Sequence, residues 1–310
     1  MEIDKKRWGI LYCPKHSGRN PRKHRERLMR MLNERKVDYD IVQSESEESV
    51  ERLILMLIHN GYKTIVIVGG DTAVNDAVNC LMQIEPRQRA EISLGVIPNG
   101  TFNDFCKFWG LKDSNMSDAI DTIVRHRIRK VDVGCIHYTN KQGEDKRRHF
   151  VNCVNIGLIA DIMNLKRQTR RLLGSQTLSF LVSALLVIFH RLEYKMHLKI
   201  NSDEVRRKIM NVCVGSGPGY GQTPNAVPYN GLLDVSVVYH SELLQLIEGM
   251  WLLFTGRFLN HRSVHPYRTR RVDVVSASHA LVGVDGRLIE TPEGAFSITV
   301  ELEVINFLIP

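Results

Sequence analysis

The strongest constraint on the fold is a regular alternation of short apolar runs with helical patterns in the first 130 residues. The run Thr64–Val68 is β-branched and uniformly apolar, which is typical of a strand buried on both faces. The other strand-like runs of this region are Trp8–Cys13, Tyr39–Val42 and Ile92–Ile97. Strands that alternate with helices predict a doubly wound parallel sheet, which binds ligands at the carboxyl ends of its strands.

The pattern changes after Gly134, where strand-like runs dominate and two apolar helices, near 177–190 and 241–256, interrupt them. This half predicts a mostly antiparallel β domain. The sequence therefore predicts two domains, residues 1–131 and residues 132–310. The last strand-like run, Phe296–Val304, is also compatible with a return to the first domain.

The net charge of +8 favours an anionic partner, such as nucleic acid, an anionic membrane or a phosphorylated small molecule. Two basic clusters stand out, one between Arg19 and Lys36 and one between Lys166 and Arg171. Each is either a solvated helix face or a surface attracted to anionic lipid headgroups, at about 1 kcal/mol per basic residue. Neither has the interleaved aromatic residues of a nucleic-acid module, so no nucleic-acid partner is predicted.

The N-terminus has no apolar stretch, and the longest apolar run, Phe180–Phe189, is too short to span a bilayer. None of the six cysteines forms a C-x-x-C pair, and His261 and His265 lack a metal-binding context, so no zinc site is predicted. A cytoplasmic protein with reduced cysteines is the simplest interpretation. The run 178–189 is either buried in the β domain or in contact with lipid.

Two glycine-bearing turns follow neighbouring predicted strands. In the first, Gly69 and Gly70 precede Asp71 and a helix, and such a helix start attracts phosphate. A carboxylate beside phosphate requires a cation, which indicates Mg²⁺. The alternative is a tight turn in which Asp71 caps a helix. The second turn, Pro98–Asp104, again combines a glycine with hydroxyl, amide and carboxylate side chains.

These turns resemble the motifs of the diacylglycerol kinase catalytic-domain family, which includes bacterial lipid kinases and sphingosine kinases. The family pattern P-x-G-T-x-N-D-F is matched by Pro98, Gly100, Thr101, Asn103, Asp104 and Phe105. The other matching segments are Pro14 with Ser17-Gly18, Val131–Gly134, Asn155–Gly157, Gly219 with Gly221, Gly231–Val235 and Val284–Gly286. The resemblance implies a nucleotide-binding α/β domain, followed by a β-sandwich domain that binds lipid.

The resemblance also implies a kinase that transfers the γ-phosphate of ATP to a hydroxyl of a membrane lipid, diacylglycerol or a sphingoid base. Asp285 would be the general base, and Asp71 and Asp104 would hold Mg²⁺. The residues implied in nucleotide binding are Ser17, Gly69, Gly70, Asp71, Thr72, Asn75, Gly100, Thr101 and Asn103. The implied partners are the lipid substrate, an anionic membrane contacted peripherally at its inner face, and a second copy in a homodimer.

The chain departs from the family pattern at several positions. Thr72 and Ala73 replace the last Gly and the Thr of G-G-D-G-T, and Asp76 replaces a Glu. A β-branched residue at Thr72 would be strained if that position required a positive φ. Arg287 replaces the Glu of a D-G-E motif, and Asn230 replaces an Asp expected near a structural Mg²⁺.

These departures leave two alternatives open besides an active lipid kinase. One is a non-catalytic lipid or nucleotide sensor with the same fold. The other is an NAD kinase, which shares the G-G-D loop but not the P-x-G-T-x-N-D-F motif.

Overall fold

The computed structural model describes residues 7–14, 20–46, 48–173, 193–239 and 243–310. The chain divides into two compact units. Unit 1 contains the N-terminal residues through Asp132 together with Leu302–Pro310, and unit 2 contains Val133–Glu301. The C-terminal segment that follows Glu301 thus belongs to the N-terminal unit.

Unit 1 is built on a parallel sheet with the strand order β2-β1-β3-β4. Its strands are β1 (Trp8–Tyr12), β2 (Tyr39–Gln43), β3 (Thr64–Gly69) and β4 (Ser93–Pro98). Every residue of β1, β3 and β4 is buried, as expected for strands covered on both faces. The C-terminal strand of the chain extends the sheet, since Asn306 and Phe307 pair in parallel with β4.

Six helices accompany this sheet in the described part of unit 1. They are α1 (Pro21–Glu34), α2 (Ser49–His59), α3 (Asp71–Gln83), α4 (Pro86–Arg89), α5 (Asp104–Phe108) and α6 (Met116–Arg125). The start of α1 is fixed by Asn20, whose side chain accepts hydrogen bonds from the backbone N–H groups of Arg22 and Lys23. The end of α6 is formed by His126 in the left-handed conformation.

Unit 2 is an antiparallel β-sandwich. Its strands are β5 (Arg127–Thr139), β6 (Asp145–Phe150), β7 (Cys153–Gly157), β8 (Tyr194–Ile200), β9 (Asp203–Gly215), β10 (Leu233–Tyr239), β11 (Val264–Thr269), β12 (Arg271–Ala277), β13 (Val282–Val284), β14 (Arg287–Leu288) and β15 (Phe296–Ile309). The two long strands β5 and β15 each continue into unit 1. The apolar side chains of β8 alternate with polar ones, which gives this strand one face for the core and one for solvent.

Two helices are described in unit 2, α7 (Leu158–Leu173) and α8 (Leu243–Phe254). α8 lies inside the predicted helical range 241–256. Leu158 and Ile162 of α7 pack with Met210 and with Leu246 of α8 in a small apolar cluster. The predicted helix near 177–190 and the apolar run 178–189 lie outside the described residues.

The predicted fold class is confirmed: an N-terminal α/β domain with parallel strands precedes a C-terminal antiparallel β-sandwich. The transition between the units falls at Asp132 and Val133. In the part of the chain that the structure describes, no helix combines the length and hydrophobicity needed to cross a bilayer.

The C-terminal strand contributes to the core of unit 1 through Phe307, which is fully buried. Its ring lies 4.8 Å from that of Phe105 and 5.6 Å from that of Trp109, measured between centroids. We expect Phe307→Ala to lower the free energy of unfolding by about 3–5 kcal/mol because it leaves a cavity. Urea unfolding followed by circular dichroism measures this loss.

Leu302, on the same strand, is the matched control because half of its side-chain surface is exposed. Leu302→Ala is expected to change the free energy of unfolding by about 0.5 kcal/mol or less. Equal losses for the two variants would contradict the assignment of the C-terminal strand to the core of unit 1.

Candidate functional site

The two glycine-bearing turns lie side by side in unit 1. β3 ends at Gly69 and β4 ends at Pro98, and these two residues are paired in the register of the sheet. The next backbone group continues the pairing, since the N–H of Asn99 donates to the carbonyl of Gly69 at 2.8 Å. Both turns therefore leave the same edge of the sheet.

The turns touch through Gly70 and Gly100. A Cβ added to Gly100 would lie 2.4 Å from the Cα of Gly70, and one added to Gly70 would lie 2.8 Å from the Cα of Gly100. Neither distance is compatible with a real side chain, so the contact requires glycine on both sides. Neither glycine has a positive φ, so the requirement comes from space and not from backbone conformation.

Asp71 joins the two turns by capping a helix that is not its own. It is the first residue of α3, and its carboxylate accepts hydrogen bonds from the backbone N–H groups of Asp104 (3.1 Å) and Phe105 (3.2 Å). Those are the first residues of α5, whose N–H groups have no partner within the helix. Asn103, which precedes them, has a left-handed backbone conformation with φ of 53°. Asp71 thus fixes the position of Asp104.

Asp104 presents a buried carboxylate oxygen at this junction. Its Oδ1 accepts a hydrogen bond from Lys107 Nζ at 3.1 Å, whereas its buried Oδ2 has no hydrogen-bond partner among the described residues. Burial, together with the negative charges of Asp71 and Asp104, raises the pKa of the Cys106 thiol well above its usual value. An uncompensated carboxylate oxygen in such a place suits a hard divalent cation such as Mg²⁺.

A third turn, after β1, is connected to the same place. The N–H of Cys13 donates to the carbonyl of Val68 at 2.8 Å, and the side-chain amide of Asn99 donates to the carbonyl of Cys13 at 3.0 Å. Asn99 is buried and bridges two turns, although the sequence did not identify it as a site residue. Ser17, a predicted nucleotide-binding residue, lies outside the described residues.

The replacement residues Thr72 and Ala73 sit in the first turn of α3, and neither has a positive φ. The strain that a positive φ would impose on Thr72 therefore does not arise. The Cβ of Ala73 would lie 3.0 Å from a Cβ added to Gly69. A larger side chain at Gly69 would collide with this turn of the helix.

Three other predicted nucleotide-binding residues have different surroundings. Thr101 is exposed in the turn after β4. Asn103 is buried and closes that turn, because its Oδ1 accepts from the N–H of Gly100 at 2.9 Å. Asn75 is buried in α3, where its Oδ1 accepts from the side-chain amide of Asn79 at 3.2 Å. Thr101 alone among these three presents an exposed side chain.

The predicted general base, Asp285, lies in unit 2 in the tight turn between β13 and β14. It is buried and has a φ of 43°, a left-handed conformation. Its Oδ2 accepts from the N–H of Val151 at 2.8 Å, and its Oδ1 accepts from the N–H groups of Asn152 (3.0 Å) and Cys153 (2.8 Å). In this conformation the carboxylate holds the chain between β6 and β7.

Unit 2 also contains a buried amide cluster that the sequence did not reveal. Gln222 Nε2 donates to Asn155 Oδ1 at 2.9 Å, and Asn211 Nδ2 donates to Gln222 Oε1 at 2.8 Å. Asn211 Oδ1 accepts from the N–H of Ile159 at 3.1 Å, at the start of α7. Asn155 belongs to a family-like segment, but its partners come from distant parts of the sequence.

The segment near Asn230 holds an ion pair. Both carboxylate oxygens of Asp234 accept hydrogen bonds from the guanidinium of Arg268, at 2.6 Å and 3.2 Å. Asn230 Oδ1 accepts from the N–H of Leu232 at 3.0 Å. Both oxygens of the Asp234 carboxylate are therefore engaged by the guanidinium of Arg268.

Comparison with known proteins places both units in described families. Residues 7–136 match the diacylglycerol kinase catalytic domain, and residues 152–305 match the YegS C-terminal NAD kinase beta sandwich-like domain. The chain is 21% identical to a diacylglycerol kinase of Bacillus subtilis over 73% of this chain and 71% of that protein. It is 30% identical to a probable YegS-like lipid kinase of Chromohalobacter salexigens over 61% of this chain and 59% of that protein.

A solved structure of a diacylglycerol kinase from Bacillus anthracis has the same fold. It superposes with a TM-score of 0.68 at 16% identity and covers 98% of this chain and 97% of that one. The joined glycine turns, the order of the two units and these matches agree, and the chain belongs to the diacylglycerol kinase catalytic-domain family of lipid kinases.

Proposed function

We propose that this protein is a lipid kinase that transfers the γ-phosphate of ATP to a hydroxyl of a membrane lipid, diacylglycerol or a sphingoid base. The observation that carries the proposal is the contact between Gly70 and Gly100, with Asp71 fixing Asp104 beside it. Family membership supports the reaction class, and the geometry of the turns supports phosphate as the ligand.

The start of α3 is suited to bind phosphate. Gly70 occupies the position before the helix and has no side chain to satisfy the first N–H groups. The dipole of α3 adds positive potential at the same point. Because Gly70 and Gly100 have no Cβ, an anion can approach both backbones closely.

We place Mg²⁺ at Asp104, with Asp71 as the residue that positions it. The oxygens of Asp71 already accept two backbone hydrogen bonds, whereas Oδ2 of Asp104 is buried and without a partner among the described residues. When bound, Mg²⁺ would neutralise charge on the phosphates during transfer. Asp71 retains lone pairs, so it can also contribute to the coordination of the ion.

The lipid substrate requires contact with a membrane, and α8 offers a surface for it. Leu244, Ile247 and Trp251 lie three and four residues apart, on one face of the helix, and are 78%, 54% and 60% exposed. Trp side chains favour the boundary between lipid and water. The exposed Arg257 and Arg262, which follow the helix, add positive charge that anionic headgroups attract. We propose that this face docks on the inner surface of the membrane, from the cytoplasm.

A non-catalytic nucleotide-binding protein is the second candidate. The observation that favours it is Asp285, whose carboxylate accepts three backbone hydrogen bonds and is buried. A general base must reach the substrate hydroxyl directly or through one water, so Asp285 would have to release some of these bonds. This candidate predicts ATP binding without transfer.

The kinase proposal is tested by incubating the purified protein with radiolabelled ATP, Mg²⁺ and vesicles that contain a total lipid extract. We expect label in one lipid fraction, and a parallel reaction with NAD as acceptor is expected to remain unlabelled. Gly100→Ala is expected to reduce lipid labelling by about 100-fold, because a 2.4 Å clash with Gly70 must separate the two turns.

Gly61→Ala is the matched control in unit 1. A Cβ there meets open space, but its φ of +87° imposes a backbone cost of about 1–2 kcal/mol. This variant loses stability without altering the turns, so it should label lipid as the wild type does. An unlabelled lipid extract, while a known diacylglycerol kinase labels its substrate in parallel, would refute the kinase proposal.

The role of Asp285 is tested by Asp285→Asn. We expect turnover to fall by about 10²–10⁴-fold if the carboxylate is the general base. The amide also turns a donor towards backbone N–H groups, which should lower the free energy of unfolding by about 1–3 kcal/mol. Lipid-labelling rates and thermal unfolding, measured in parallel, separate the two effects.

Asp132→Asn controls for the structural effect. Asp132 is also buried and accepts a backbone hydrogen bond, from the N–H of Glu303 at 2.9 Å. This variant should lose similar stability but retain turnover within a few-fold. Normal turnover in Asp285→Asn would exclude Asp285 as the base and favour a structural role.

The membrane-docking face is tested by changing Leu244, Ile247 and Trp251 together to Ser. We expect the wild type to sediment with phosphatidylglycerol vesicles and the triple variant to lose at least about tenfold in apparent affinity. Each buried side chain of this kind contributes about 1.5–3 kcal/mol, so even partial insertion gives such a loss.

Ile128→Ser is the control because Ile128 is an exposed apolar residue in unit 1, 48% exposed. Equal vesicle binding by the triple variant and the wild type would contradict the assignment. A wild type that is dimeric in sedimentation, with a monomeric triple variant, would instead assign this face to a homodimer contact.

A further inference from the structure

Three potential metal ligands meet in unit 2, and none of them is among the residues proposed to bind nucleotide or Mg²⁺. Cys135 lies on β5, and His149 is directly opposite it on β6. Glu301 lies on β15. The sulfur, an imidazole nitrogen and a carboxylate oxygen of these residues all lie within 4.8 Å of one another. Three different strands thus deliver one ligand atom each to one point.

The spacing of the donor atoms is close to that of a tetrahedral zinc site. Two donors about 2.1 Å from a tetrahedral zinc lie about 3.4 Å apart, and a sulfur lies about 3.6 Å from the other donors. His149 Nε2 and Glu301 Oε1 are 3.1 Å apart. The sulfur of Cys135 lies within 4.8 Å of both of these atoms, so each of its two distances has to shorten by about 1.2 Å or less.

We propose that Cys135, His149 and Glu301 form a binding site for a zinc-type divalent cation. The combination of a thiolate, an imidazole and a carboxylate selects zinc over Mg²⁺, because Mg²⁺ prefers oxygen ligands. Three protein ligands leave a fourth position for water. The site is separate from the proposed Mg²⁺ at Asp104 and does not depend on the kinase proposal.

The charges of the site balance when the cation binds. Burial and the nearby carboxylate of Glu301 raise the pKa of the Cys135 thiol to about 12, so the thiol carries its proton when no cation is bound. Binding forms a bond between sulfur and the metal and releases that proton to solvent. One thiolate and one carboxylate then neutralise the two positive charges of the ion. Arg147 stabilises the thiolate, although it also repels the cation.

The cation can enter from the side of Glu301. The side chain of Glu301 is 33% exposed and that of His149 is 12% exposed, whereas Cys135 is fully buried. An ion would first contact the carboxylate and then reach the imidazole and the sulfur. His137, two residues beyond Cys135, is engaged with Thr299 at 3.2 Å and is not a ligand. A bound ion would tie β5, β6 and β15 together.

The test uses the full-length protein after treatment with a chelator, titrated with Co²⁺ as a spectroscopic substitute for zinc. We expect one equivalent of Co²⁺ to produce a sulfur-to-cobalt charge-transfer band and the visible bands of a tetrahedral ion, both abolished by added Zn²⁺. Cys135→Ser should abolish the charge-transfer band, and Glu301→Gln should weaken zinc binding by at least about tenfold.

Two variants serve as matched controls. Cys213 is a second fully buried cysteine of unit 2, and Glu303 is a carboxylate two residues beyond Glu301 on the same strand. Cys213→Ser and Glu303→Gln should bind Co²⁺ and Zn²⁺ as the wild type does. Zinc should also raise the melting temperature of the wild type but not that of Cys135→Ser.

The absence of a charge-transfer band in wild-type protein that is folded by circular dichroism would overturn the proposal. Equal Co²⁺ spectra for Cys135→Ser and the wild type would also overturn it. If Cys135→Ser does not fold, the Glu301→Gln titration decides, because zinc affinity equal to that of the wild type contradicts the site.

Discussion

The candidate phosphate site depends on one close approach between two backbones, at Gly70 and Gly100. The contact leaves no room for a Cβ on either side, so it sets how near the turns after β3 and β4 can come. Asp71 then uses that proximity to accept hydrogen bonds from the N-terminus of α5. The parallel register of β3 and β4 aligns the ends of these two strands. The contact between the two glycines and the hydrogen bonds of Asp71 then join the two turns.

Much of this architecture could be predicted from local sequence. The run Thr64–Val68 correctly predicted β3, which extends one residue further, to Gly69. An uninterrupted β-branched segment before two glycines has few other conformations. The strand β8 shows an equally local signal, because its apolar and polar side chains alternate along the chain. The helix predicted over 241–256 is α8, whose described part lies inside that range and ends two residues before the predicted end. Periodicity is a local property, and local properties are visible in a sequence.

What the sequence could not reveal are contacts between residues that are far apart in the chain. Asp71 was expected as a metal ligand, with a cap of its own helix as the alternative. Nothing in the sequence indicated that its carboxylate also caps α5, more than thirty residues away. The meeting of Cys135, His149 and Glu301 depends on the register of β5 against β6 and on the course of β15, neither of which leaves a spacing signature. The pair His261 and His265 does have a spacing signature, because i, i+4 histidines can bind one metal ion. In the structure, however, His261 Nε2 lies 2.9 Å from the backbone carbonyl of Gln245.

The exposure of α8 is a related case. Its sequence is apolar almost throughout, so periodicity alone assigns it to the core. Leu246 does pack inward, but Leu244, Ile247 and Trp251 point to solvent. A contiguous apolar face of this kind is uncommon on a free surface and marks a contact with lipid or protein. Only the three-dimensional structure distinguishes the buried apolar residues of α8, such as Leu246, from the exposed ones.

The buried oxygen Oδ2 of Asp104, which has no hydrogen-bond partner among the described residues, connects the fold with the proposed function. A buried carboxylate oxygen that lacks a hydrogen-bond partner costs folding free energy, on the order of 1–3 kcal/mol and more when charged. Asp71 adds a second carboxylate at the same junction, where its oxygens accept from the backbone N–H groups of Asp104 and Phe105. The other oxygen of Asp104 accepts from Lys107 Nζ, whose side chain is 58% exposed, so this contact offsets little of the cost. A divalent cation shared with a polyphosphate would offset this cost, and it would do so only when the nucleotide is bound. The junction is therefore better explained as a site prepared for a metal-bound phosphate than as a turn optimised for stability.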